Sequence, residues 1–109
     1  MDLCAGPVRV TCVVDGDTVW LAGEKIRLEG IDAPESRGAC FAENRLAALS
    51  AERLRQLLTG AEPVVVRSGL DRYGRTLATI KVAGRDVGEV LVAEGMARVW
   101  AGRRERWCQ

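Results

Sequence analysis

A chain of 109 residues has room for one hydrophobic core and one principal site, so residues 1–109 read as a single domain and a two-domain architecture is excluded. Apolar residues make up 48% and charged residues 28%, the balance of an ordinary globule, and no apolar run approaches the roughly 20 residues of a membrane span, which argues against a membrane role. With 16 basic and 15 acidic side chains the formal charge is +1, so attraction to a polyanion has to come from local clustering.

In chain order, Val8, Val10 and Cys12 alternate with Arg9, Thr11 and Val13, the pattern of a half-buried strand running into a turn at Asp15-Gly16-Asp17. Residues 19–21 and 25–30 continue as strands around a second turn at Ala22-Gly23-Glu24, giving a three-stranded meander. Pro34 ends it, because proline has no N–H to donate and forces Ala33 into an extended conformation. Residues 41–59 take helical periodicity, with Ala47, Ala51, Leu54 and Leu58 on one face and Gly60 as the stop. Glu43, Arg45, Glu52, Arg53 and Arg55 are expected to form the solvated face of this helix. Residues 64–66 and 77–82 read as two more strands. Asp86 is placed to cap a second helix, with Glu89 as its reciprocal partner, Val87, Val90 and Leu91 facing inward, and Gly95 at its end. Met96, Arg98 and Trp100 then extend toward the tail. The expected fold class is α+β, mainly β: five strands in a small closed sheet with two packed helices.

Histidine is absent, which removes histidine metal sites, Ser-His-Asp and Cys-His catalysis, and the usual neutral-pH base. Cys4, Cys12, Cys40 and Cys108 have no C-x-x-C spacing, so zinc is disfavoured and disulfide formation is expected, with three connectivities open. No signal peptide precedes Cys4 in this sequence.

The charged residues concentrate in residues 14–35. Asp17, Asp32 and Glu35 are hard oxygen donors at the ends of neighbouring strands; if the meander closes, they converge on one spot that suits a calcium-type cation. Turn chemistry alone would also place Asp15, Asp17 and Asp32 where they are. Arg27, on a strand between two acidic clusters, and Arg75, after the glycine turn in Asp71-Arg72-Tyr73-Gly74-Arg75, are fork-shaped donors for phosphate oxygens. The competing roles are a structural pair of Arg27 with Glu29 or Asp32, and a surface position for Arg75.

Four ordered segments, V-V-D-G-D-T-V, I-R-L-E-G-I-D-A-P-E, D-R-Y-G-R-T-L-A and V-L-V-A-E-G-M-A-R-V, resemble the staphylococcal nuclease (thermonuclease) family over residues 8–99. The resemblance implies a five-stranded OB-fold-type barrel with packed helices and calcium-dependent cleavage of DNA and RNA. Matched segment by segment, Asp17, Asp32 and the Ala33 carbonyl would hold Ca2+, and Asp15 would stand behind them. Ala33 replaces the family's usual threonine, which matters little where only the carbonyl binds. Glu35 would orient or deprotonate the attacking water, and Arg27 and Arg75 would hold the phosphate. Arg72 and Tyr73, beside Arg75, would contact the substrate, with simple packing in the turn as the other role for Tyr73.

The chain departs from the family's best-known member in its tail. The tyrosine-rich patch is replaced by Trp100-Ala101-Gly102-Arg103-Arg104, so base stacking would fall to Trp100. Cys40 with Cys108, tying the first helix's entry to the tail, is the favoured disulfide, with Cys4 and Cys12 as a second pair. The overall expectation is a monomeric, secreted or periplasmic nuclease acting on DNA or RNA, with the cytoplasm as the other compartment. The contender is a non-catalytic OB-type nucleic-acid-binding module.

Overall fold

The computed structural model describes residues 1–108. Strands β1 (Asp2–Leu3), β2 (Cys12–Asp15), β3 (Thr18–Leu21), β4 (Glu24–Leu28) and β5 (Ile31–Asp32) precede helix α1 (Phe41–Leu58). Strands β6 (Val64–Leu70), β7 (Thr76–Val82) and β8 (Arg85–Asp86), helix α2 (Val87–Ala93) and strand β9 (Arg98–Val99) follow. The large sheet runs in the order β1-β2-β3-β4-β7-β6, with β8 paired to β7, and β5 pairs separately with β9.

The meander forms as the alternation requires. Val19 stands opposite Ile26 and both are fully buried, while Ala22 and Gly23 turn the chain at positive φ. A bulge between Val13 and Asp15 sets the Asp15-Gly16-Asp17 turn between β2 and β3. Helix α1 lies directly over that turn: a Cβ at Gly16 would run into the Ser50 hydroxyl, so close approach demands glycine there. Ala47, Ala51, Leu54 and Leu58 bury as a stripe, and the last three join Val13, Val19, Ile26, Leu28, Ile80 and Leu91 in one core. In α2 the Asp86 carboxylate accepts the Gly88 N–H at 2.8 Å, and Val87, Val90 and Leu91 face inward.

Three expectations change. Residues 8–11 are not strand; Val8 is 82% exposed, because β1 pairs with β2 in parallel and the chain between them must loop out and return, a loop closed by the Cys4–Cys12 disulfide. The closed five-stranded barrel is not formed. The sheet is an open path, and no strand lies against the free edge of β6 among the described residues. Glu43 is not on a solvated face; it is buried, for the geometric reason that it precedes Ala47 by four residues on the same stripe.

Candidate active site

Pairing register decides which charged side chains meet. Arg27 stands beside Leu77 in the parallel β4–β7 ladder, between the buried Ile26 and Leu28, and so projects from the opposite face. Arg75 lies two residues before Leu77 and falls on the same side. Trp100 joins them because its N–H donates to the Gly30 carbonyl at 2.9 Å, continuing the β5–β9 pairing. The result is a groove of about 700 Å³ whose wall includes Arg27, Arg72, Tyr73, Arg75, Trp100, Arg103 and Arg104.

The Asp71–Arg75 turn is held from within. Asp71 Oδ1 accepts the N–H groups of Tyr73 and Arg75, each at 2.9 Å, and Oδ2 accepts Arg75 Nε at 2.6 Å. Burial by itself would raise the Asp71 pKa, but the Arg75 and Tyr73 donors outweigh it and hold the carboxyl below the usual aspartate value. Tyr73 is exposed, its hydroxyl accepts from Arg72 at 2.7 Å, and the Arg72 guanidinium lies 4.9 Å from its ring centre.

Arg27 pairs with neither Glu29 nor Asp32. Its guanidinium donates to the carbonyls of Leu28 at 2.6 Å and Ile31 at 2.9 Å and lies 3.5 Å from Asp17 Oδ2. Asp17 in turn stitches the strands: its Oδ2 accepts the Ala33 N–H at 2.9 Å, and its carbonyl accepts the Leu28 N–H at 2.8 Å. Asp17 and Asp32 are both buried. Burial raises the Asp32 pKa and Asp17 raises it further, against the opposing pull of Arg104 and Arg27. Asp15, behind them, is pushed up to about 7 by burial and by the neighbouring Asp17 charge.

Asp17, Asp32, Ala33 and Glu35 do not line the groove itself. Between them and the groove stands Arg104, which sequence reasoning missed. Its Nη1 donates to Asp32 Oδ1 at 2.8 Å and to the Ala33 carbonyl at 3.2 Å, its Nη2 donates to Glu43 Oε2 at 2.6 Å, and its Nε lies 3.7 Å from Glu35 Oε1. Burial opposes the charge on Arg104, but Asp32, Glu35 and Glu43 hold its pKa above the ordinary arginine value. Glu43 was missed as well. It accepts the Glu35 N–H at 3.0 Å and the Ala39 N–H at 3.1 Å, so it shapes the loop that carries Glu35, and those donors hold its pKa below the usual glutamate value. The helical spacing from Ala47 could have revealed Glu43. Nothing local in the sequence points from Arg104 to Asp32, 72 residues away. The tail is anchored by the expected Cys40–Cys108 disulfide and by Arg98, whose guanidinium stacks 3.8 Å from the Trp107 ring centre.

Residues 25–108, spanning α1, α2, both arginine-bearing segments and the tail, match the family model described as Staphylococcal nuclease homologue. The chain belongs to the staphylococcal nuclease family. Curated relatives of this family member include the succinoglycan biosynthesis protein ExoI of Rhizobium meliloti, 37% identical over 78% of the chain and 48% of its own length. The micrococcal nuclease of Shigella flexneri is 35% identical over 87% of the chain and 58% of its own length. An uncharacterised endonuclease of Haemophilus influenzae is 35% identical over 85% and 51%. The chain thus spans about half the length of the curated relatives it matches.

The donor set tests the fit of a calcium ion. Asp17, Asp32, Glu35 and the Ala33 carbonyl are all hard oxygens, and Asp32 Oδ2 is buried without a hydrogen-bond partner among the described residues, the mark of an incompletely satisfied carboxylate. As arranged, however, no three carboxylates come together as ligands among the described residues; Asp32 and Glu35 both face Arg104, and the Glu35 side chain is 58% exposed. The residue types fit calcium; in the arrangement present, Arg104 holds the Asp32 carboxylate and the Ala33 carbonyl.

Proposed function

We propose that residues 1–109 form one nuclease domain, a monomer that hydrolyses phosphodiester bonds of DNA or RNA with low sequence specificity and with calcium as cofactor. The observation that carries this reading is the convergence of the Arg27 and Arg75 guanidiniums on one groove whose rim holds Arg104 and, behind it, the buried Asp17 and Asp32. Two planar forks, one presented from β4 and one from the turn that precedes β7, suit a tetrahedral phosphate, and their donors are strongest where negative charge develops in a water-poor cleft. Arg27 is fixed by two backbone carbonyls and Arg75 by Asp71, so both are oriented before substrate arrives.

Asp17, Asp32 and the Ala33 carbonyl would hold the calcium ion, which when bound supplies a Lewis acid for the phosphoryl oxygen. In a chain without histidine Glu35 is the water-positioning group, and the 35–40 loop that carries it is shaped by Glu43. Tyr73 and Trp100, both substantially exposed on the groove wall, offer faces to unstacked bases, and Arg72 reaches the strand beside them. Two disulfides support a secreted or periplasmic setting. The test is cleavage of a single-stranded oligonucleotide with calcium or with chelator. Glu35→Gln and Arg75→Ala are each expected to lower the rate at least about a hundredfold. Binding of the oligonucleotide without cleavage under either condition would favour a non-catalytic nucleic-acid-binding module instead.

A further inference from the structure

The geometry points to Arg104 as a built-in counter-cation that occupies the calcium seat and must withdraw for the metal to enter, an inference that rests on the calcium reading above. Its Nη1 engages the Asp32 carboxylate and the Ala33 carbonyl, two of the three groups assigned to the metal. A calcium ion needs those oxygen lone pairs at about 2.3–2.6 Å, a separation from which a guanidinium bound to the same atoms is excluded by volume and by charge.

Two independent observations mark the guanidinium as a replaceable occupant. First, it satisfies only one oxygen of Asp32 and leaves Oδ2 buried without a hydrogen bond among the described residues, with the neutral Trp107 indole, its own N–H likewise unpaired, as the other donor acting on this carboxylate, whereas a divalent cation would act on the whole of it. Second, Arg104 also lines the groove, so open space lies beside it into which the side chain can swing. Its backbone stays close in either position, because the Cys40–Cys108 disulfide fastens the tail to the entry of α1 four residues further on. Glu43 is the seat that holds it: a buried carboxylate taking Arg104 Nη2 together with the N–H groups of Glu35 and Ala39. The arrangement keeps the acidic residues compact without metal and sets the calcium affinity by competition.

The test is calorimetric titration of calcium into the wild-type chain and into Arg104→Gln, with melting temperatures in chelator and in saturating calcium. Arg103→Gln, which removes the neighbouring charge, controls for net charge. Arg104→Gln is expected to melt lower than wild type in chelator, to bind calcium about tenfold more tightly, and to gain more in melting temperature when calcium is added. Arg103→Gln is expected to change the affinity less than about threefold. Should Arg104→Gln not fold, the Cys40→Ser/Cys108→Ser variant frees the tail with Arg104 intact and is expected to bind calcium more tightly than wild type. Equal or weaker affinity in the released variant, or equal tightening in Arg103→Gln, overturns the inference and leaves the nuclease reading standing. Absence of calcium binding in every variant overturns the inference together with the calcium assignment, and cleavage in chelator then decides whether the nuclease reading survives.

Discussion

The turn around Asp71 holds Arg75 through a partner four residues away, whereas Asp32 and Glu43 are drawn together by an arginine 72 and 61 residues further along the chain. The first is a local device on an exposed hairpin. Its geometry is complete once β6 and β7 pair. The second is a partly buried assembly of four elements, with Asp17 from the first hairpin, Asp32 from β5, Glu43 from α1 and Arg104 from the tail. Such an assembly forms only when the chain has folded around its core and the tail has been fastened. The difference teaches that the Arg75 side of the site is preset by short-range turn chemistry, while the acidic side is conditional on long-range contacts and open to adjustment through them.

The largest test of that contrast is Glu43→Ala. Removing the buried carboxylate leaves Arg104 and two backbone N–H groups without their acceptor, and a loss of about 3–5 kcal/mol in urea unfolding is expected, with cleavage falling in parallel as the loop carrying Glu35 loosens. A loss below about 1 kcal/mol would mean that the acidic side holds itself together without long-range support.

Asp15→Asn probes the same side through pH. Asp15 has its folded-state pKa raised from the ordinary 3.8 to about 7, so between those values the folded chain holds a proton that the unfolded chain has released. Its contribution is therefore complete below about pH 4 and is lost as pH rises through about 7. In chelator, the variant's stability advantage over wild type is expected to grow across that window by about 4 kcal/mol, at about 1.4 kcal/mol per pH unit, and then level off. A constant difference from pH 4 to 8 would place the origin of any effect outside this titration.

The smallest effect belongs to the local arm. Asp71→Asn is expected to cost only about 0.5–1 kcal/mol of stability, because the pair is short-range and partly screened. It should nevertheless lower the cleavage rate by releasing Arg75, and leave calcium affinity untouched. A change in calcium affinity would show that the two sides are coupled after all.

The period-2 and period-3.6 patterns determined much of this protein without the structure: the meander of residues 19–28, the helix at Phe41–Leu58 and the capped helix after Asp86. They succeeded because turns, caps and apolar stripes are dictated by neighbours a few residues apart. The same logic applied strictly would have placed Glu43 inside, since its spacing from Ala47 fixes its face. Alternation misled at residues 8–11, where a disulfide loop and a parallel partner carry the chain out of the sheet, and strand count alone misled on closure, since the sheet is an open path. Only the tertiary structure decided that Arg27 turns to Asp17 rather than to Glu29 or Asp32, and that an arginine from the tail sits on Asp32, Ala33 and Glu43. Those partners depend on which strands pair and where the tail is pinned, and no local preference of the residues involved encodes them.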